Sequence, residues 1–118
     1  MRISGRLIVA ILIFVIGMTE ALAAGKIHVL RADYGRNCRD TIKGNATSFI
    51  AIACDEKSSC NYSWTHEGTT GDVFPNCPKN LLVEYDCVSD DGSSVSRPKS
   101  TTLTGEASGQ IVRLDCSE

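Results

Sequence analysis

A chain of 118 residues, 42% hydrophobic and 22% charged, has room for one domain and not two. Its formal net charge of −2 excludes the basic footprint that nucleic acid demands and leaves no polybasic patch for an anionic membrane surface. Six cysteines in so short a chain point instead to an exported, disulfide-stabilised domain.

Residues 1–23 read as a signal peptide and residues 24–118 as a single domain. Arg2 and Arg6 give a basic start, Leu7 to Met18 an apolar run, and Ala21-Leu22-Ala23 a small-residue cleavage site. The apolar run is about a dozen residues long, whereas a membrane span needs roughly 20. Glu20 sits where a spanning helix would have to continue. Export would place the chain in an oxidising compartment, extracellular or periplasmic, with no membrane attachment once the signal is removed.

Lys26 to Tyr34 is the first predicted strand, with Ile27, Val29 and Leu30 as its β-branched and apolar members and Ala32 and Tyr34 continuing it. Tyr34-Gly35-Arg36-Asn37 then turns, and Gly35 can take a positive φ there. Gly44 to Ser48 opens a short helix with Asn45 as the expected N-cap. Phe49, Ile50, Ala53 and Cys54 share one helical face. Ile50 and Ile52 are β-branched, so a strand is the competing assignment.

Cys60 to Trp64 is a short strand with Tyr62 and Trp64 on one face; Trp64 reads as packing in preference to a stacking platform for a sugar ring. Thr65 to Thr70 is a polar loop. Gly71 to Pro78 has turn chemistry, in Gly71, Pro75, Asn76 and Pro78. Asn80 to Val88 is the strongest strand, alternating Leu81, Val83, Tyr85 and Cys87 with Leu82, Glu84 and Asp86. Residues 89–102 are rich in Ser, Asp, Pro and Lys and read as an exposed loop, mobile in part. Gln110 to Cys116 closes the chain as a strand. The sum is a mainly β domain with one short helix.

Cys38, Cys54, Cys60, Cys77, Cys87 and Cys116 all lie in the mature part, and no Cys-x-x-Cys occurs, so neither a zinc ribbon nor a thioredoxin-type pair is suggested. Spacing leaves the connectivity open, except that Cys54 and Cys60 flank a polar turn and are locally favoured. His28 and His66 have no free cysteine nucleophile and no Gly-x-Ser-x-Gly elbow beside them, so no catalytic residues are assigned. Asp90-Asp91 reads as solvated loop, not as a calcium site; no metal and no cofactor are expected. Asn45-Ala46-Thr47 and Asn61-Tyr62-Ser63 fit the N-glycosylation pattern.

Three segments together resemble the rhamnose- and galactose-binding lectin domains of the sea-urchin-egg-lectin type. Lys26 to Arg36 looks like that family's opening strand and Tyr-Gly-Arg turn. Cys54-Asp55-Glu56-Lys57-Ser58-Ser59-Cys60 is similar to its Cys-x-Gly-Lys-x-x-Cys turn. Gly71-Asp72, Cys77, Lys79 and Val83-Glu84-Tyr85-Asp86-Cys87 resemble its Gly-Asp-Pro-Cys to Tyr-x-Cys segment. The chain departs from the pattern at Val73-Phe74, which stand where the family has Pro-Cys, and at Asn80, which replaces an aromatic. The family's N-terminal strand is missing ahead of Lys26, while a similar strand, Glu106 to Cys116, occurs at the other end, as in a circular permutation.

The resemblance implies a small disulfide-rich antiparallel β-sandwich with bridges Cys54–Cys60, Cys38–Cys77 and Cys87–Cys116. Such bridges would contribute roughly 10 kcal/mol together as an upper figure, comparable with the whole stability of an ordinary domain, so the reduced chain is expected to be largely unfolded. It also implies a secreted, non-catalytic carbohydrate-binding module. Its sugar contacts would fall on Tyr34, Gly71, Asp72, Lys79 and Glu106: a carboxylate accepts from two hydroxyls, an ammonium donates to them, and a tyrosine offers a ring and a hydroxyl. None of the Asp72 and Lys79 side chains is expected in the core; the plainer alternative is a surface pair in which Asp72 caps its own turn. The implied partners are glycans ending in deoxyhexose or galactose, with weak self-association supplying valency. The rival reading is a disulfide-stabilised interaction protein or inhibitor that keeps the fold without the sugar site.

Overall fold

The computed structural model describes residues 25–38, 41–65 and 76–117. The expected signal peptide, and Gly71 and Asp72 of the expected sugar site, lie outside the described residues.

The elements run β1 (Lys26–Tyr34), α1 (Thr47–Cys54), β2 (Ser59–Ser63), β3 (Leu81–Val88), β4 (Lys99–Leu103) and β5 (Ile111–Asp115). They form two antiparallel sheets, one ordered β1-β3-β4 and one pairing β2 with β5. The fold is thus mainly β with one short helix and three disulfides, as the sequence leads one to expect. The core is a single cluster that includes Ile27, Val29, Tyr34, Ile50, Trp64, Leu81, Val83, Val112 and Leu114.

β1 keeps its inward face only by changing phase. Ile27 and Val29 stand opposite Cys87 and Tyr85, and Ala32 and Tyr34 opposite Val83 and Leu81. The odd-numbered pair and the even-numbered pair point the same way because the register slips between Val29 and Arg31. Leu30 is the extra residue of this bulge and is 41% exposed. The outer face of the sheet carries charge instead: His28 Nδ1 lies 3.1 Å from Asp86, and Arg31 Nε lies 3.1 Å from buried Asp33.

Among the described residues, no strand pairs with the free edge of β1. Side chains and loop carbonyls close it. The Val29 N–H donates to Asp55 (2.8 Å), that of Ala32 to the Thr47 hydroxyl (2.8 Å), and that of Tyr34 to Asn45 Oδ1 (2.7 Å). Asn45 Nδ2 donates back to the Tyr34 carbonyl at 2.9 Å. The Ile27 N–H reaches the Lys57 carbonyl at 2.8 Å. Buried backbone groups must find partners, and this edge finds them in short polar side chains. Asn45 is therefore not the helix cap. Ala46 holds that position, with no side-chain cap bond, because the Asn45 amide is spent on β1.

The exposed loop expected at residues 89–102 is corrected in its second half. Ser89 to Ser93 make a turn closed on the Asp91 carboxylate by Ser89 and Ser93. These bonds, from the Ser93 N–H and the two hydroxyls, hold its pKa at about 2. Val95 then bridges Val88, and Lys99–Leu103 forms β4 along β3. The strand is missed in sequence because, of its two inward, half-buried residues, Thr101 and Leu103, only one is apolar, which leaves no hydrophobic period.

The bridges are Cys38–Cys77, Cys54–Cys60 and Cys87–Cys116, the three pairs the resemblance implies. Cys87 lies in β3 and Cys116 just after β5, so this bridge joins the two sheets. Three bridges suit an oxidising, extracellular type of environment. Among the described residues, no helix is long and apolar enough to cross a membrane.

Candidate functional site

Three of the five residues singled out for a sugar site come together at one carboxylate. Tyr34 ends β1, Lys79 precedes β3, and Glu106 lies in the turn before β5. The Tyr34 hydroxyl donates to Glu106 Oε2 at 2.5 Å, and the Lys79 N–H donates to Oε1 at 3.2 Å. The Ser108 N–H adds a third bond, to Oε2 at 3.0 Å. Lys79 Nζ donates to the Cys77 carbonyl at 3.1 Å. Nothing in the described structure bears on Gly71 and Asp72.

The surrounding backbone makes the arrangement rigid. The Ala107 N–H bonds the Lys79 carbonyl at 2.8 Å, and Gly35 N–H bonds the Asn80 carbonyl at 2.9 Å. Gln110 Nε2 ties down the carbonyls of Thr104 (2.9 Å) and Glu106 (2.8 Å). Asn37 works on both sides: its Nδ2 donates to the Pro78 carbonyl, and its Oδ1 accepts the Asn80 N–H. The Cys38–Cys77 bridge fastens the same two segments. Gly35, at φ +89°, lies over the Lys79 stem, whose Cδ would stand 3.4 Å from any Cβ there.

Glu106 itself is held in the left-handed region, at φ 72°, directly after Gly105 at φ 72°. A non-glycine residue there is under strain of about 1–3 kcal/mol and persists only where its surroundings fix it. Here the three bonds to its carboxylate do so.

Sequence reading missed two contributors. Asn37 sits in a turn where its composition suggests only a turn residue, and Ser108 acts through its backbone N–H, which leaves no mark in the sequence. One expectation is corrected: Lys79 is in the core, at 3% exposure, as is Tyr34 at 3%. The lysine is thus a buried residue and not a surface one. Its backbone is held on both sides, by Glu106 and by Ala107.

Burial pushes the Glu106 carboxyl up, but the Tyr34, Ser108 and Lys79 hydrogen bonds and the Lys79 charge outweigh burial and hold it below the ordinary glutamate range. A carboxyl depressed on folding stabilises the fold above its unfolded pKa, about 4.3, and loses that contribution as pH falls through the folded value. Glu106→Gln should therefore be less stable than the parent at pH 7, and the gap should shrink below about pH 4. Urea midpoints measured across that range check this; a constant gap would show that the charge of Glu106 is irrelevant.

Chemically the cluster is an ionic acceptor backed by a phenol and an ammonium. No group of three metal-ligating side chains occurs among the described residues. No family model, curated protein or solved structure matches the chain.

Proposed function

We propose that the chain is a secreted, non-catalytic carbohydrate-binding module of the rhamnose- and galactose-binding lectin type, taking glycans with terminal deoxyhexose or galactose beside Glu106. The observation that supports this reading is the convergence of Tyr34, Lys79 and Glu106, from three distant parts of the chain, on one strained carboxylate. Strain fixed by a hydrogen-bond network is what a preorganised polar site has. Glu106 is the member that solvent reaches, so it would meet a hydroxyl pair directly while Tyr34 and Lys79 hold it in place.

A second reading draws on the burial of Tyr34 and Lys79. In it the trio is an internal brace, and the chain is a small disulfide-stabilised interaction protein or inhibitor. A glycan array with calorimetry on the best hit separates the two. Under the lectin reading, Glu106→Ala loses a charge-assisted bond of roughly 1.5–3 kcal/mol, about tenfold to a hundredfold in affinity. Asp72→Ala should act likewise, and Asp90→Ala, in the exposed turn, should change nothing. Silence across the array, with a tight protein partner recovered by the folded chain, would put the second reading first.

A further inference from the structure

The two Asn-x-Ser/Thr sites are equivalent in sequence and opposite in structure. At Asn45-Ala46-Thr47 every polar side-chain atom is engaged with β1. Asn45 Oδ1 accepts from the Tyr34 N–H and Nδ2 donates to the Tyr34 carbonyl. The Thr47 hydroxyl accepts from the Ala32 N–H at 2.8 Å and donates to the Ala32 carbonyl at 3.4 Å. The Asn45 amide grips one residue's N–H and C=O side by side. Its donating hydrogen is therefore the one on the same side as its own oxygen. In a glycosylated asparagine the trans secondary amide puts the sugar carbon in that position. A glycan on Asn45 would thus replace the very hydrogen that closes the β1 edge.

Asn61-Tyr62-Ser63 lies in β2 with Asn61 and Ser63 exposed and Tyr62 turned towards the core. Asn61 stands opposite Arg113 of β5, and its Oδ1 accepts from Arg113 Nη1 at 3.2 Å. Its Nδ2 has no hydrogen-bond partner among the described residues. The carbonyl oxygen is untouched by glycosylation, so the Arg113 contact survives it.

We propose that Asn61 is the N-glycan acceptor of this chain and that Asn45, although it fits the same pattern, is not occupied in folded protein. The proposal rests on export into a glycosylating secretory pathway and is independent of sugar binding at Glu106. The co-substrate is a polyprenyl-pyrophosphate-linked oligosaccharide. The Asn61 Nδ2 bonds to the sugar C1 as the bond from C1 to the pyrophosphate oxygen breaks. The amide proton passes to a base of the transferase, and polyprenyl pyrophosphate leaves. Transfer precedes folding, so the selection acts afterwards: a chain modified at Asn45 cannot close β1, and a chain modified at Asn61 folds unimpeded.

The test is secretion of the full chain from insect cells, with intact mass and non-reducing peptide mapping before and after enzymatic removal of N-glycans. The expected result is a mass increment of one glycan, Asn61 occupied, Asn45 unmodified and all three bridges formed. Asn61→Gln should abolish the increment and leave the bridges and the melting temperature unchanged. Fully bridged protein carrying a glycan on Asn45, secreted protein bare at Asn61, or failure of the chain to enter the secretory pathway would each overturn the proposal.

Discussion

Replacing Cys87 and Cys116 together by alanine is expected to lower the unfolding free energy by about 3–4 kcal/mol, against about 2 kcal/mol for the Cys54/Cys60 pair. The bridges close separations of 29 and 6 residues, and the longer loop restrains the unfolded chain more. Position adds to length. Cys54–Cys60 joins the end of α1 to β2 across one turn, whereas Cys87–Cys116 ties the three-stranded sheet to the two-stranded one. The double variants avoid a lone thiol that could pair wrongly. Urea unfolding of each under non-reducing conditions gives the comparison. Equal losses would mean that the two sheets hold together without their covalent link.

Trp64→Ala should cost about 3–5 kcal/mol, much of what a domain of this size has to spare. Trp64 is fully buried and meets Tyr34 edge-on at 5.3 Å and Phe49 at 6.4 Å between ring centroids. It thus backs the ring whose hydroxyl holds Glu106. Its own backbone is fixed to the turn before β5, through Gln110 (3.0 Å) and Gly109 (2.8 Å). Trp64→Phe should cost below about 2 kcal/mol. It keeps most of the packing and removes an indole N–H that is buried with no partner among the described residues. If the phenylalanine variant unfolds as easily as the alanine one, that N–H has a partner that matters.

Most of the strands are legible in the sequence because their burial is one-sided. β3 and β5 show alternation that the structure repeats as far as Tyr85 in one, with Leu81, Val83 and Tyr85 buried, and at Val112 and Leu114 in the other; past Tyr85 it breaks, with Asp86 buried and Cys87 half-buried. β1 is legible in extent, but its bulge is not. Ile27 and Val29 are out of phase with Ala32 and Tyr34, and only the pairing with β3 shows how both reach the core. β4 escapes because only one of its two half-buried residues, Leu103, is apolar, too little to make a hydrophobic period.

The role of Asn45 escapes for another reason. An Asn ahead of a helix favours a cap by local rules, and the demand that overrides them comes from Tyr34, eleven positions away in the chain. That Tyr34, Lys79 and Glu106 meet is suggested in the sequence only by the resemblance. Nothing local marks Lys79 as buried or gives Glu106 a backbone that is usually left to glycine.

The side-chain closure of β1 also limits how copies of this molecule can assemble. A sheet extends indefinitely only if both of its ends accept a new strand. In the three-stranded sheet one end is β1, whose N–H groups are already taken by Asn45, Thr47 and Asp55. The other end, among the described residues, is β4, rich in hydroxyls, with Lys99, Ser100 and Thr102 exposed and Thr101 and Leu103 half-buried. Strand addition through this sheet must therefore be β4 against β4. That contact is self-complementary and uses up both open ends at once. Growth stops at a pair, so the molecule has a route to two linked copies but none, through this sheet, to a fibre.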